Sequence, residues 1–272
     1  MLEFLHHLYT SGYSYSSLNT ARSALSCLCI STMVRGETQS IGSHPLICRY
    51  LKGVFNEIPP TPKFQEVWPV DQVLNYIELL APLHALTLKD LTLKLVLLVA
   101  LVSSQRCQTL TLLDISPEPM KKFPSYFSFA LTGLIKQDRP GSIFGNIRLF
   151  KYPSNDNICV YTTLEHYLER TKSLRQSSKL LISYIKPHHQ VATATIGRWL
   201  KTGLSQAGID ISVYQAHSTR SASTSKAAGT VPVDMLMKLA GWSNESTFRK
   251  FYDKSVAVTD QLSNAVLNQT QD

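Results

Sequence analysis

The chain has 272 residues, 44% of them hydrophobic and 17% charged, with a formal net charge of +8. This balance supplies a real core and excludes a disordered tail, and the excess of Lys and Arg favours a polyanionic partner. Five scattered cysteines (Cys27, Cys29, Cys48, Cys107, Cys159) with no CxxC pair argue against a disulfide framework or a zinc site and for a reducing compartment. The N-terminus MLEFLHHLYT lacks the character of a signal peptide, and the longest apolar run, LVLLVALV at 95–102, is far short of a membrane span. A soluble, intracellular protein is expected, with no membrane partner.

Residues 1–58 read as helical. LEFLHHLYTSG sets Leu2, Leu5, Leu8 and Tyr9 on one face and stops at Gly12. SYSSLNTARSALSCLCISTMV follows as a second helix, with Leu18, Ala21, Leu25 and Leu28 as its apolar repeat. HPLICRYLKGVFNEI is the third, with Pro45 near its start. Pro59, Pro60 and Pro62 then form a stiff, extended connector, and a domain boundary is placed there.

Beyond it, WPVDQVLNYIELL and LTLKDLTLKLVLLVALVSS are two helices, the second apolar almost all round and so central to a core. SYFSFALTGLIKQDRPGSIFGNIRLFKYP has the aromatic and β-branched character of two strands, broken at the turn signal DRPG. From TTLEHYLERT onward the chain is helical again. ATIGRWLKTGLSQAG places Ile196, Trp199, Leu200 and Leu204 on one stripe, and HSTRSASTSKAAG, VDMLMKLAG and NESTFRKFYDK are three short helices. The expected fold is mainly α. A helical N-terminal domain covers 1–62, a mixed, mostly helical domain with a small antiparallel sheet covers 63–256, and a C-terminal tail covers 257–272.

Charge is uneven. From 170 to 202 there are seven Lys or Arg (Arg170, Lys172, Arg175, Lys179, Lys186, Arg198, Lys201) and no Asp or Glu. A solvated basic face would account for such a run as readily as a nucleic-acid contact. Against DNA, the stretch ATATIGRWLKTGLSQAG is expected to use Arg198 and Lys201, with Trp199 in the core. Lys172, Arg175 and Lys179 are further candidates for backbone phosphates, and Arg22 and Lys52 are candidates from the N-terminal domain. His188 and His189 lack a third ligand at metal-site spacing. Neither a P-loop nor a GxSxG elbow is present.

Six positions stand in order along the second domain: Arg106 after the apolar helix, Lys136 beside the hairpin turn, His217 and Arg220 in AHSTR, Trp242 in LAGWSN, and Tyr252 in RKFYDK. Each taken alone has an ordinary structural reading as a cap, a packing residue or a solvated lysine. As an ordered set they resemble the tyrosine recombinase, or phage integrase, family, and their local wording is similar to the recombinases of eukaryotic DIRS-like mobile elements.

That resemblance implies site-specific cleavage and rejoining of double-stranded DNA through a 3′-phosphotyrosine, with neither ATP nor metal as cofactor. Arg106 and Arg220 would fork onto the non-bridging oxygens of a phosphodiester. His217 would serve as general base, Lys136 as the acid for the leaving 5′ oxygen, Trp242 as an indole donor to the phosphate, and Tyr252 as nucleophile. It further implies a protein that is nuclear if eukaryotic and cytoplasmic otherwise, and that assembles as a tetramer on DNA through its C-terminal segment. Departures exist. Thr109 stands where many members carry a carboxylate, and the N-terminal domain is shorter than usual, as if truncated. A decayed or domesticated recombinase that binds DNA without cutting it, and a type IB topoisomerase-like relaxer, are the alternatives.

Overall fold

The computed structural model describes residues 1–28, 31–34, 36–60, 66–135, 138 and 145–241. The chain divides into two compact units, 1–63 and 64–272.

In the smaller unit, α1 (Leu2–Thr10), α2 (Tyr15–Cys27) and α3 (Pro45–Glu57) surround a core of Leu5, Leu18, Ile47, Leu51 and Val54. Helix α1 ends as expected, with Gly12 in the left-handed region (φ 81). Ser14 caps α2 through its side chain, and the His44 ring accepts from Leu46 N–H ahead of Pro45 at the first turn of α3. The second helix is shorter than its apolar repeat suggests. It stops at Cys27, and Ser31–Val34 (β1) instead pairs antiparallel with Glu37–Ser40 (β2), Val34 opposite Glu37. The physical reason lies in Ser-Thr-Met-Val, a partly β-branched run, followed by Gly36 at φ 83, which supplies the positive φ that a two-residue hairpin loop needs.

The larger unit is built around α5 (Leu88–Ser103). Thr87 caps it by accepting from Asp90 N–H and donating to the Asp90 carboxylate, and every side chain from Leu91 to Leu101 is buried. An all-round apolar helix must be covered on all sides. Helices α7 (Val160–Thr171), α8 (Thr193–Gln206) and α9 (Ser218–Ala228) and strand β5 (Ile147–Phe150) pack on it. Against α8 the approach is close. A β-carbon at Gly203 would lie 2.6 Å from Leu97 Cδ1.

The sheet has the order β3-β4-β5, with Met120–Lys122 (β3) and Tyr126–Phe129 (β4) both paired antiparallel to their neighbours. Phe127 opposite Leu149 and Phe129 opposite Ile147 face the core. Strand β3 was not expected, because Met-Lys-Lys between prolines carries no alternation. Helix α4 (Val70–Leu79) buries Val70, Val73 and Ile77, and the short α6 (Cys107–Thr111) and α10 (Val233–Ala240) complete the described elements. Among the described residues, no helix is long and apolar enough to cross a membrane.

Candidate active site

Helix α5 ends at Ser103 because Ser104 turns into the left-handed region (φ 51, ψ 28). The chain then reverses, and Arg106 becomes the N-cap of α6, whose Thr109 is buried. A buried glutamine precedes that arginine. The Nε2 of Gln105 donates to the carbonyl of Leu239 at 2.9 Å and of Ser103 at 3.2 Å. Ser104 Oγ meets Ser223 Oγ of α9 at 2.8 Å.

Helix α9 presents the second arginine. His217 is its N-cap residue and is exposed, while Arg220, in the first turn, is 2% exposed. Arg220 Nη2 donates to the carbonyl of Ala240 at 2.5 Å. Leu239 and Ala240 are the last residues of α10, which ends on Gly241 in the left-handed conformation (φ 70, ψ 42). Thus the segment bearing Arg106 and the helix bearing His217 and Arg220 are tied to the same helix end, immediately before Trp242. The α9 start is fixed from another direction as well: the buried indole of Trp68 donates to Ser218 Oγ at 2.8 Å.

The electrostatics favour an anion. Nη1 of Arg106 is buried and has no hydrogen-bond partner among the described residues. A guanidinium donor left buried and unmatched is costly unless something arrives to accept from it. Beside this region lies a cavity of about 470 Å³, bounded by Ser103–Gln105, by Asn146 and Arg148 at the start of β5, and by α9 and α10.

Lys136, Trp242 and Tyr252 lie outside the described residues; Lys136 belongs to the connection from β4 to β5, and Trp242 directly follows the α10 end just described. The expected DNA contacts fall into two sets. Arg175 is turned inward: Nη1 donates to the carbonyls of Lys179 and Leu180, Nη2 to Thr171 Oγ1, and its charge lies over the Tyr167 ring. Lys179 pairs with Asp114 at 3.3 Å and donates to Thr132. Burial works against ionisation of Asp114, yet hydrogen bonds from Ser116, Ser178 and Lys179 outweigh it and hold the carboxyl at about 2. Both half-buried cations thus have partners within the fold. Lys172 and Arg198 are exposed, Lys201 is half-buried, and Trp199 is in the core; in the smaller unit Lys52 is exposed and Arg22 half-buried.

Sequence reasoning missed Trp68, Ser104, Gln105 and Ser223. Only Gln105 had a visible signal, its place beside Arg106; the Trp68–Ser218 bond joins residues 150 positions apart.

The fold, a small three-stranded sheet within a helical bundle, is shared with solved site-specific recombinases and integrases. The structure is similar to that of XerH site-specific recombinase in its post-cleavage complex with palindromic difH substrate (TM-score 0.62, 13% identity, covering 97% of this chain and 70% of that one). It is likewise similar to the Tn1549 transposon integrase in complex with transposon right end DNA (TM-score 0.59, 15% identity, 98% and 84%) and to XerA recombinase (TM-score 0.52, 16% identity, 100% and 90%). At these identities the likeness is one of fold. No protein-family model matches the sequence, and no curated protein matches it.

Proposed function

We propose that this protein is a tyrosine recombinase that cuts and rejoins double-stranded DNA. The observation that carries the reading is the convergence of the Arg106 segment and the His217–Arg220 helix start on the end of α10, with a buried Arg106 donor unmatched. A phosphodiester is the natural occupant. It is anionic before reaction and gathers further charge on its non-bridging oxygens in the transition state, where aimed donors are worth roughly 10²–10³ in rate apiece.

In this proposal the Tyr252 oxygen attacks phosphorus, its proton passing to His217. The bond to the 5′ oxygen breaks, and that oxygen takes a proton from Lys136. The resulting 3′-phosphotyrosine keeps the energy of the broken bond for rejoining, so the cycle needs no external energy source. The similar proteins support the reading, since XerH and the Tn1549 integrase were captured on DNA, and lambda integrase as a dimer on a COC′ core site and a tetramer on a Holliday junction. We include in the proposal a multimer assembled on DNA and a core-binding role for the smaller unit.

The test is covalent trapping. Incubation with nicked suicide duplexes is expected to give a denaturant-resistant protein–DNA adduct, and Tyr252→Phe is expected to bind equally and give none. A wild-type protein that binds but never forms adduct would instead establish the non-cutting DNA-binding reading, which Thr109 in the usual carboxylate position favours.

A further inference from the structure

The basic run from 170 to 202 is not one surface. In its first part the half-buried Arg175 donates to backbone carbonyls, Lys179 is paired with Asp114, and the exposed Arg170 reaches the carbonyl of His84 at 3.4 Å. In its second part Lys186, Arg198 and Lys201 form no ion pair among the described residues. Arg175 and Lys179 are therefore engaged by the fold, while Arg170, Lys172, Lys186 and Arg198 are exposed.

Lys186 sits on a turn that is built rather than loose. Ile182 and Gln190 close it as an antiparallel bridge, and Ser183 N–H donates to the carbonyl of His189 at 2.8 Å. Inside the turn, Ile185 N–H donates to Ser183 Oγ, His188 N–H donates to the Ile185 carbonyl, and His188 Nδ1 lies 2.9 Å from the Ser183 carbonyl. His188 holds a left-handed backbone (φ 62), a conformation that a non-glycine residue keeps only when its surroundings fix it. At the tip, Ile185 is 65% exposed, and Lys186 and His189 are exposed beside it.

The turn is also anchored to α8. Tyr184 lies over the Trp199 ring, with centroids 5.3 Å apart. Trp199 is buried and its neighbour Arg198 is exposed, so the ring pair joins the base of the turn to the root of an outward arginine. The outer face of α8 carries Ala194, Arg198, Lys201, Thr202 and Ser205 at helical spacing, with no acidic side chain. The turn and the outer face of α8 each carry basic side chains without an ion pair among the described residues, and those on α8 have small polar residues between them, a chemistry that suits a phosphodiester backbone.

We propose that the 183–190 turn is a second DNA-contacting element, which places Lys186 and His189 on backbone phosphates beside those held by α8. This rests on the DNA-processing reading above. Because the turn is already ordered by its own hydrogen bonds, contact loses little conformational freedom on binding.

The experiment measures duplex binding by the full chain as a function of salt, for wild type, Lys186→Gln and Lys89→Gln. Lys89 is exposed on the first turn of α5 and controls for loss of one charge. Lys186→Gln is expected to weaken binding roughly 5–10-fold at 100 mM salt and to lower the slope of log K against log salt by about 0.9, equally on unrelated sequences. Lys89→Gln is expected to leave the slope unchanged, and thermal melting should show both variants folded. If wild type binds DNA with a salt-dependent affinity and Lys186→Gln reproduces it, or if both variants lose the same amount, the turn is not a contact while the DNA reading stands. If wild type shows no salt-dependent DNA binding, both fall.

Discussion

Helices α5 and α9 lie against each other and are held by opposite means. The buried stretch of α5 from Leu91 to Leu101 is aliphatic apart from Thr92 and Lys94. The buried residues of α9 are Ser218, Thr219, Arg220, Ser221, Ala222 and Thr224. Apolar burial is non-directional and proportional to area, so it fixes α5 strongly but without regard to rotation of any one group. Hydrogen bonds have direction. The Trp68–Ser218 and Arg220–Ala240 bonds specify how the first turn of α9 faces, and the Ser104–Ser223 hydroxyl pair holds its middle. If His217 and Arg220 act on a phosphate as proposed, the second kind of restraint is the one that would aim them, with the apolar α5 packed against α9.

Substitutions can break this contrast. The largest stability effect is expected at Leu97, fully buried between α5 and α8: Leu97→Ala should cost about 3–5 kcal/mol by denaturant unfolding. Next comes the polar exception on α5. Lys94 donates to the carbonyl of Leu80, and burial pulls its ammonium from 10.5 down to about 8, a shift that the nearby Glu78 charge opposes. The folded state therefore binds its proton less tightly than the unfolded state. Stability from this group is fully present above 10.5 and is lost as the pH falls towards 8. The stability difference between wild type and Lys94→Met should shift in favour of wild type by about 3 kcal/mol from pH 8 to pH 10.5. A difference that stays flat over that range would mean the lysine is not desolvated in the fold.

A smaller effect is expected at Gly203. Alanine there would press on Leu97, which is buried and cannot swing aside, so Gly203→Ala should cost about 1–3 kcal/mol. The smallest stability change but the sharpest functional one is Trp68→Phe. Phenylalanine keeps most of the ring and loses the donor to Ser218, so stability should fall by only about 1 kcal/mol. DNA cleavage should slow while DNA affinity holds. Equal loss of both would mean Trp68 acts by packing alone.

What could be read from the sequence follows the same division. Helix α5 was legible because an unbroken apolar run has one physical solution, and the paired strands β4 and β5 because aromatic and β-branched residues flank a turn signal. The α9 start was legible from AHSTR, and Gly241 marks the end of α10 as expected of a glycine after a helix. Directional contacts were not. Nothing in the run of basic residues distinguishes Arg175, folded onto its own backbone, from Arg198, turned outward. That choice depends on Tyr167, Thr171 and the 179–180 carbonyls arriving together. The β1–β2 hairpin was hidden because its apolar residues also satisfy a helical repeat, and only Gly36 argued otherwise.

The central claim is that Arg106 and Arg220 grip one phosphate while a phenol attacks it. Its most direct test is the rate of adduct formation on a pool of nicked duplexes of random sequence, for wild type, Arg106→Ala and Arg220→Ala, with DNA affinity measured in parallel. The account predicts adduct from wild type and a rate roughly 10²–10³ lower for each variant at nearly unchanged affinity. Adduct that forms at the wild-type rate without either arginine, or no adduct from wild type on any duplex it binds, would contradict it.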